Sequence, residues 1–405
     1  MSILEKGFYK IRGPGKLRLT GCNIDIMGIT CSGECDFVIP TGRTYLFRVK
    51  GSKCTYMASP REAMVVEDDW GGLIYSIRDK IISILKESSH DGVVFIGPPD
   101  SFKSTISTLV FNTIFSAADH LEVRPCYITT DVGQNEIFMP TFISATILPV
   151  YPGIQVNNTI NCFTGAISPA FNTEKYLWCI THLVGRLRSD RNFFIVDTDG
   201  WINSYKAIYS KMMIAELFDD PLIVYTGLDE EFKKYLYYHF NDITEYNIPK
   251  SIITNKTSSE RRVHRARLVL RAFRDPCRII IDCQKSMIAG LPIFHGSKTD
   301  ISRFGVPTVI YAENWNGKII AVLEDKFSYK LQDKDIEVLR KNWEQGLIAA
   351  LYNKGEVREV GLVEKVDYRK KRLAIITNKG ASFDYIEIGR TSFPGVLETL
   401  EHSLQ

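Results

Sequence analysis

The sequence predicts an α/β fold, in which a central domain with a parallel sheet is flanked by small β-rich domains at the two ends of the chain. Three observations predict it. The 405 residues exceed the usual size of a single domain. From residue 92 to about residue 283, apolar strand-like runs alternate with helical stretches, a pattern typical of parallel sheets. Both ends carry short runs separated by Gly, Pro and Asn, as β-rich modules do.

We therefore expect three domains. The first is a β-rich N-terminal domain over residues 1–66, the second is the central α/β domain over residues 67–295, and the third is a β-containing C-terminal domain over residues 296–405. Each boundary lies where the dominant apolar period changes between alternating and helical.

Composition excludes several classes of protein. Hydrophobic residues make up 45% and charged residues 24% of the sequence, so neither a disordered nor a collagen-like chain is expected. The longest apolar runs have the length of strands, and the N-terminus lacks a basic segment followed by a long apolar stretch. We expect no membrane span and no secretory signal, and we expect a cytoplasmic protein, with the nucleus as the alternative compartment.

Net charge and cysteine content limit the kinds of partner and metal site that the sequence predicts. The net charge of +3, from 50 Lys and Arg against 47 Asp and Glu, is too small to indicate a polyanionic partner by itself. Any surface for nucleic acid must therefore be local. Nine cysteines are scattered without CxxC units, and we interpret them as buried free thiols. Cys31 and Cys35 form the one suggestive pair, but we assign no metal to protein thiolates.

The individual elements follow from local patterns. Residues 16–20 alternate polar and apolar side chains, and residues 37–39 form a short apolar run before a Pro, so both predict strands. Five apolar side chains at helical spacing predict an amphipathic helix that ends near Ser88: Leu73, Ile77, Ile81, Ile82 and Leu85. Further strands are predicted over residues 93–96, 126–129, 193–196, 222–225, 318–323 and 373–377.

A loop between the strand 93–96 and the helical run 106–115 has the form of a P-loop. Successive backbone N–H groups and the positive end of a following helix hold phosphate oxygens in such loops. Lys103 is expected to reach the β- and γ-phosphates of ATP, and the Ser104 hydroxyl is expected to bind Mg²⁺. The expected nucleotide-binding residues are Gly97, Asp100, Ser101, Phe102, Lys103, Ser104 and Thr105. The central domain is thus predicted to be a P-loop NTPase domain.

Phe102 departs from the P-loop pattern, which has glycine before the lysine. That position often requires a positive φ, where a bulky residue is strained by about 1–3 kcal/mol. If the phenyl ring blocks the phosphate site, nucleotide binding without turnover becomes the alternative to catalysis.

Three more segments occur in the order typical of the RNA 5′-hydroxyl polynucleotide kinase family. Asp131-Val132-Gly133-Gln134 resembles the family's D-x-x-Q motif, and Thr198-Asp199-Gly200-Trp201 is similar to its T-x-[GN]-W clasp. Thr257-Ser258-Ser259-Glu260-Arg261-Arg262 resembles the T-x-G-x-x-R lid, with Arg267 five residues beyond. Ser259 replaces a glycine of that lid pattern. With the β-rich flanks, the resemblance spans nearly the whole chain.

The resemblance implies roles for these residues. Asp131 would accept the proton of a 5′-hydroxyl and lie close to Mg²⁺, although a turn-capping role is the alternative. Gln134 would orient a metal-bound water or the nucleophile through its amide, with a surface position as its alternative. Trp201 would stack on a terminal base, with core packing as its alternative. Arg262 and Arg267 would close over ATP, whereas a salt-bridged helix face is the ordinary meaning of such an arginine run. Asp197 and Asp199 could support the metal indirectly.

Together these features favour an ATP- and Mg²⁺-dependent kinase that phosphorylates the 5′-hydroxyl end of single-stranded RNA, with DNA left open as a substrate. The alternative is a catalytically weak, nucleotide-binding scaffold in an RNA-processing complex, with protein partners. A small-molecule kinase or NTPase of the P-loop class is a third hypothesis, and it is disfavoured because the clasp and the arginine lid suit a polymeric substrate.

Overall fold

The computed structural model describes residues 2–51, 53–60, 65–249, 251, 256–300, 309–324 and 336–404. The chain divides into two compact units, of which the first contains Met1–Thr164 and Ser168–Arg262 and the second contains Gly165–Ile167 and Val263–Gln405. The division into three domains stays a prediction. None of the helices in the described part of the chain is long and apolar enough to cross a bilayer.

The first unit begins with a seven-stranded sheet in the order β1-β6-β3-β5-β2-β7, with β4 paired to β3. Its strands are β1 (Ser2–Leu4), β2 (Gly7–Arg12), β3 (Gly15–Ile26), β4 (Ile29–Ile39), β5 (Thr44–Val49), β6 (Cys54–Ser59) and β7 (Val65–Glu67). Leu17 and Leu19 of β3 are fully buried, while the residues between and beside them are exposed or half-buried. This alternation is the period of two that predicted a strand here, and it confirms a β-rich N-terminal region.

The P-loop region of the first unit follows as alternating helices and strands. Its first elements are α1 (Asp69–Glu87), β8 (Gly92–Ile96), α2 (Lys103–Ser116), α3 (Ala118–Leu121), β9 (Arg124–Thr129), β10 (Phe142–Thr146) and β11 (Ile160–Phe163). The remainder are α4 (Thr173–Leu187), β12 (Asn192–Asp197), α5 (Tyr205–Ala215), β13 (Pro221–Tyr225), α6 (Glu230–His239) and β14 (Ile243–Glu245). The predicted helix ending near Ser88 and the four predicted strands of this region are confirmed.

The sheet of this region is mixed, with the order β11-β10-β9-β12-β8-β13-β14. Strands β9, β12, β8, β13 and β14 are parallel, whereas β10 and β11 run antiparallel at one edge. The expected parallel sheet is therefore confirmed in part. Because β8, β9 and β12 are neighbours and parallel, the loops that follow them meet at one edge of the sheet. That edge carries the P-loop and two of the sequence motifs.

Strand β8 separates two apolar cores. Val93 and Phe95 belong to a core that also contains side chains of the N-terminal sheet, of α1 and of α2. Val94 and Ile96 belong to a second core with the apolar faces of α4, α5 and α6. The N-terminal sheet and one face of the P-loop sheet thus share a single core.

The described residues of the second unit form two sheets. Helix α7 (Ser258–Arg271) begins in the first unit and continues into the second. The larger sheet has the order β15-β23-β22-β21-β24-β16 and the smaller one the order β17-β18-β19-β20. The elements are β15 (Pro276–Asp282), β16 (Met287–Ala289), β17 (Ser297–Lys298), β18 (Val309–Trp315), β19 (Lys318–Leu323), β20 (Ile336–Arg340), β21 (Leu347–Asn353), β22 (Glu356–Asp367), β23 (Arg372–Asn378), β24 (Tyr385–Ser392) and α8 (Pro394–Ser403). The predicted C-terminal strands at β19 and β23 are confirmed.

The cysteines differ from the prediction. Three disulfide pairs join Cys22 with Cys54, Cys31 with Cys35, and Cys162 with Cys179. Interpreting all nine cysteines as free thiols was therefore wrong. The packing of neighbouring elements brings Cys22 to Cys54 and Cys162 to Cys179, whereas Cys31 and Cys35 lie four residues apart on β4. Cys126, Cys277 and Cys283 are free, and burial raises the pKa of the Cys126 thiol to about 12.

Candidate active site

The P-loop joins β8 to α2 through a tight turn that contains two non-glycine residues in left-handed conformation. Asp100 has φ of 59° and Phe102 has φ of 64°. The prediction that the position before Lys103 has a positive φ is therefore confirmed, and this backbone costs about 1–3 kcal/mol for a residue such as Phe. The phenyl ring of Phe102 packs against the core that the N-terminal sheet shares with α2. That packing offsets the strain and explains how an aromatic residue is tolerated here.

Lys103 is the first residue of α2 and is buried. Its ammonium group donates a hydrogen bond to the Pro98 carbonyl at 2.8 Å, across the loop, and the Ser101 hydroxyl donates to the same oxygen at 2.8 Å. Burial lowers the pKa of Lys103, while the charges of Asp197 and Asp131 oppose that shift. Both side chains thus bind the Pro98 carbonyl oxygen, and the Lys103 ammonium lies close enough to the carboxylates of Asp197 and Asp131 for their charges to act on it.

A cavity of about 350 Å³ opens in front of this loop. It is lined by eight of the predicted site residues: Asp100, Ser101, Phe102, Lys103, Ser104, Thr105, Asp131 and Gln134. The first backbone N–H groups of α2 have no acceptor within their own helix and carry the positive end of its dipole. Cationic and N–H donors, hydroxyls and carboxylates therefore surround one space, which is the set of groups that a metal-bound nucleotide requires.

Gly97 lies just behind this cavity rather than in its lining. A Cβ atom at this position would lie 2.7 Å from the Thr226 carbonyl oxygen, so the start of the loop has no room for a side chain. The glycine is needed here for close packing against the end of β13.

Asp131 follows β9 at the sheet edge and lines the cavity. Its Oδ1 accepts hydrogen bonds from the backbone N–H groups of Gly133 and Gln134, both at 2.9 Å. Burial, followed by the negative charge of Asp199, raises the pKa of Asp131, while Lys103 opposes the shift. The structure thus contains the turn-capping role that the sequence left as an alternative, and the same carboxylate also faces the cavity.

The turn Thr198–Trp201, here named the clasp turn, follows β12. The Thr198 hydroxyl donates to the Phe95 carbonyl at 2.6 Å, and the Trp201 N–H donates to Asp199 Oδ1 at 2.7 Å. Gly200 packs against the P-loop so closely that an added Cβ would lie 2.7 Å from the Pro99 nitrogen. Trp201 is half-buried, and of the clasp turn only Gly200 is among the described residues that line the cavity.

Asp199 is held from behind by two helices. Its Oδ2 forms a buried ion pair with Lys211 of α5. The Tyr176 hydroxyl of α4 lies 2.5 Å from the same oxygen and 2.8 Å from Thr130 Oγ1. Since both oxygens of Asp199 are occupied, this carboxylate fixes the clasp turn rather than facing the cavity.

Asp197 is the last residue of β12 and is 2% exposed. The Tyr127 hydroxyl donates to its Oδ2 at 3.3 Å, whereas Oδ1 has no hydrogen-bond partner among the residues that the structure describes. Burial raises the pKa of Asp197 to about 6, and the charge of Lys103 and the nearby Ser104 hydroxyl oppose that shift. Asp197 also lines the cavity.

The predicted lid forms the beginning of α7. Thr257 and Glu260 cap the helix reciprocally, because the Thr257 N–H donates to Glu260 Oε2 at 2.7 Å and the Glu260 N–H donates to Thr257 Oγ1 at 3.2 Å. Arg261 forms an ion pair with Asp100 of the P-loop, and the Lys256 N–H donates to the same carboxylate at 3.2 Å. Arg262 and Arg267 are exposed on this helix.

Sequence reasoning missed the part of the site that comes from the N-terminal sheet. Arg43, Thr44 and Leu46 line the cavity. Arg43 forms an ion pair with Glu136, which lies just after the D-x-x-Q segment. No local signal could have revealed them, since they lie far from the P-loop in sequence. Asp197 was given only an indirect role from the sequence, although its place at the end of the strand beside β8 favours a position at the cavity.

Comparison with known proteins finds a similar P-loop segment. Residues 97–275 match the family model of the mRNA cleavage and polyadenylation factor CLP1 P-loop. No curated protein matches the sequence significantly.

Two solved structures resemble the chain over nearly its whole length. One is a wild-type Clp1p–Pcf11p complex, with a TM-score of 0.64 at 16% identity over 96% of this chain and 97% of that chain. The other describes an extended Pcf11p–Clp1p interface and the basis of ATP loss in a glycine-to-arginine mutant, with a TM-score of 0.62 at 14% identity over 96% of this chain and 98% of that chain. At these identities, the likeness shows the fold. The matched segment, residues 97–275, is similar to the Clp1 P-loop, which supports the resemblance to the polynucleotide kinase family that the sequence motifs indicate.

Proposed function

We propose that the chain is an ATP- and Mg²⁺-dependent polynucleotide kinase that phosphorylates the 5′-hydroxyl end of single-stranded RNA, with DNA as a second substrate to be tested. The observation that carries this proposal is the shared cavity. Lys103 and Ser104 from the P-loop side and Asp131 and Gln134 from the end of β9 line the same space. A phosphoryl donor and an acceptor hydroxyl must be aligned in such a space.

The residues present fit ATP and Mg²⁺. The cavity of about 350 Å³ is lined by the start of α2 and by the carboxylates of Asp131 and Asp197. ATP supplies the transferable phosphoryl group, and Mg²⁺ neutralises charge on its phosphate oxygens. In this proposal Lys103 leaves the Pro98 carbonyl to bind phosphate oxygens, Ser104 and Asp131 hold the metal, and Asp131 accepts the proton of the 5′-hydroxyl.

The remaining motif residues would act around that centre. Gln134 would orient the acceptor end through its amide, and Trp201 would contact the terminal base once the nucleic acid is bound. Arg262 and Arg267, both exposed on α7, would bind phosphate oxygens when α7 approaches the nucleotide. Arg261 already contacts the P-loop through Asp100, which supports a role for this helix in covering the site.

The direct test is transfer of labelled γ-phosphate from ATP to a short 5′-hydroxyl oligonucleotide, with RNA and DNA compared side by side. We expect transfer by the wild type and a loss of about 100-fold or more in kcat for Lys103→Ala, because a cation positioned on the reacting phosphates is removed. Lys206→Ala is the matched control, since Lys206 is an exposed lysine of α5 outside the cavity lining. Transfer that survives Lys103→Ala unchanged would contradict the site.

A nucleotide-binding scaffold of an RNA-processing complex is the second candidate. Phe102 motivates it, because its backbone at φ of 64° is strained for an aromatic residue and its side chain is fixed by packing against the core, which restricts rearrangement of the loop. The likeness to Clp1p in complexes with Pcf11p supports a protein partner from the mRNA cleavage and polyadenylation machinery. Wild-type protein that binds ATP without phosphate transfer, together with transfer by Phe102→Gly, would favour this candidate over the kinase.

Both candidate functions place the protein in the compartment where RNA is processed. A factor related to mRNA cleavage and polyadenylation would work in the nucleus, which was the alternative rather than the first expectation from sequence. Imaging of the tagged full chain tests this, and exclusion from the nucleus would contradict it.

A further inference from the structure

A cluster of cations lies in the second unit, where the turn between β22 and β23 meets the turn that follows β15. We name this cluster the basic tip. It consists of Lys285, Arg369, Lys370, Lys371 and Arg372, of which Lys371 is half-buried and the other four are exposed. Because the net charge of the whole chain is only +3, the basic tip is a local concentration of positive charge.

The cations of the basic tip differ from other cations of the same sheet in their pairing. Arg278 of β15 forms an ion pair with Glu364 at 2.6 Å, and Lys379, just after β23, forms one with Asp275 at 3.0 Å. Within the described part of the chain, no ion pair joins a carboxylate to a residue of the basic tip. Neighbouring like charges repel one another, so a bound polyanion would stabilise this arrangement.

The two carboxylates nearest the basic tip in sequence hold the backbone of its turns. Asp367 Oδ1 accepts hydrogen bonds from the backbone N–H groups of Arg369 and Lys370, both at 3.0 Å. These hydrogen bonds, together with nearby positive charge, lower the pKa of Asp367. In the neighbouring turn, Asp282 Oδ1 accepts from the Gln284 N–H at 3.0 Å. Because these turn N–H groups are already bonded, they cannot enclose a single phosphate ion, and the side-chain cations are left to bind an extended anion.

Contacts beneath the basic tip fix its shape. The Cys283 N–H donates to the Lys371 carbonyl at 3.0 Å and so joins the two turns. The ring of Tyr368 lies 6.4 Å from that of Phe294 and 5.8 Å from that of Tyr311, and the Lys371 ammonium lies 6.0 Å from the Phe294 centroid. Rings that pack on one another and are partly or fully buried are poor surfaces for base stacking. The basic tip therefore favours contact with phosphates over contact with bases.

We propose that the basic tip binds the phosphodiester backbone of single-stranded nucleic acid without selecting its bases. Successive phosphates carry the repeated negative charge that neighbouring cations neutralise, and binding releases condensed counterions. An import receptor that takes a basic segment in extended form fits less well, because Lys371 has φ of 50° and Asp367 closes the turn. This inference goes beyond the proposed function, since the contact uses neither the nucleotide cavity nor phosphate transfer.

The test measures binding of the full-length protein to a fluorescent single-stranded RNA of about 30 nucleotides that already carries a 5′-phosphate, without ATP or Mg²⁺. The triple variant Arg369→Gln, Lys370→Gln and Arg372→Gln removes three exposed cations and keeps Lys371, which packs on Phe294. We expect affinity at low salt to fall about tenfold or more, and the slope of log affinity against log salt to become shallower by about two. Oligouridine and oligoadenosine should lose affinity equally.

Two matched variants separate the basic tip from total charge and from the shape of the side chains. Lys318→Gln, Arg340→Gln and Lys354→Gln together remove the same charge from exposed positions of the second unit, and this variant should stay within about threefold of wild-type affinity. Arg369→Lys with Arg372→Lys keeps the charge and should keep the salt slope. Wild-type affinity in the triple tip variant, or an equal loss in both triple variants, would overturn the proposal.

A second measurement uses the wild-type protein alone and does not depend on a variant folding. Acylation of lysines by a soluble reagent, followed by mass spectrometry, should be slowed severalfold by RNA at Lys285 and Lys370 and left unchanged at the exposed Lys354. Equal acylation of Lys285 and Lys370 with and without RNA would overturn the proposal. So would binding of an import receptor through the basic tip in a protein whose RNA affinity the triple tip variant leaves unchanged. Because the RNA cannot accept a phosphate, a chain without kinase activity that passes both tests would refute the proposed function and leave this inference standing.

Discussion

Two turns meet where the parallel strands of the mixed sheet end, and they differ in backbone conformation and in how their charged side chains are partnered. The P-loop turn carries two non-glycine residues in left-handed conformation, and its lysine is bonded to its own loop. The clasp turn has regular backbone, and its carboxylate is fully partnered by Lys211, Tyr176 and the Trp201 N–H. Asp197 belongs to the P-loop side, since its free oxygen and its place in the cavity lining set it apart from Asp199.

This contrast separates the two turns by the kind of group that each one holds. Strain and unmet hydrogen-bonding capacity concentrate on the side that faces the cavity, while the rear side is satisfied by side chains from α4 and α5. A bound ligand can supply a partner for the free oxygen of Asp197, whereas the carboxylate of Asp199 already has its partners within the protein. Removing a partner of Asp199 should therefore lower the free energy of unfolding of the metal-free protein, whereas removing the charge of Asp197 should raise it.

The largest effect is expected for Lys211→Met, which removes the partner of Asp199. Breaking a buried ion pair by removing one member costs about 3–5 kcal/mol, because the other charge stays buried. Urea unfolding of the metal-free protein measures the free energy of unfolding. Lys206→Met on the exposed face of the same helix is the control, and the double variant Lys211→Met with Asp199→Asn should recover part of the loss. A change below about 0.5 kcal/mol in the free energy of unfolding for Lys211→Met would contradict the inference that Asp199 depends on this ion pair.

The next effect has the opposite sign and belongs to Asp197→Asn. Because the folded protein raises the pKa of Asp197 from 3.8 to about 6, it favours the protonated acid. The wild-type free energy of unfolding should therefore fall as pH rises through that interval, by up to about 3 kcal/mol. The penalty is absent below the lower pKa and complete above the upper one.

Asp197→Asn cannot ionise at this position, so in metal-free buffer it should exceed the wild type in stability at pH 7.5 and match it more closely at pH 4.5. Urea unfolding at both pH values measures this difference. An advantage of the same size at both pH values would show that ionisation of Asp197 is not its cause.

Gly200→Ala tests how closely the two turns approach. The added Cβ would lie 2.7 Å from the Pro99 nitrogen and 2.6 Å from its Cγ, so the P-loop must shift. We expect a loss of about 1–3 kcal/mol in stability together with weaker binding of an ATP analogue. Gly185→Ala in α4 is the control, since a Cβ there meets nothing within 4 Å and replaces a helical glycine. Unchanged analogue affinity in Gly200→Ala would mean that the turns move independently.

The smallest effect is expected for Asp100→Asn, which removes the charge that holds Arg261. Asn tolerates the left-handed backbone of this position, so the turn is kept while the ion pair is lost. We expect a loss of about 0.5–1 kcal/mol in stability and faster hydrogen exchange at the start of α7. A double-mutant cycle with Arg261→Met gives the coupling energy of the ion pair. A coupling energy near zero would show that this contact between α7 and the P-loop does not contribute to stability.

Much of this arrangement could be predicted from local patterns. The apolar runs at β8, β9, β12 and β13 located the sheet, and Lys103 with Ser104 located the phosphate loop because its residues are contiguous. The same patterns could not predict Lys211 as buried, since a lysine in a helix is ordinarily exposed and its partner Asp199 lies in a separate loop. Arg43 was missed for the same reason, and so was the pairing of Cys22 with Cys54, because each depends on contacts between distant segments.

The core that the N-terminal sheet shares with α1 and α2 makes the first part of the chain inseparable from the nucleotide cavity. A fragment trimmed to begin at the first helix would expose the apolar side chains of α1 and α2 to water and lose the wall that Arg43, Thr44 and Leu46 provide. Such a fragment would aggregate before its chemistry could be assayed. The practical unit for every biochemical comparison of this protein is therefore the intact polypeptide, and the opening sheet forms an integral wall of the nucleotide cavity.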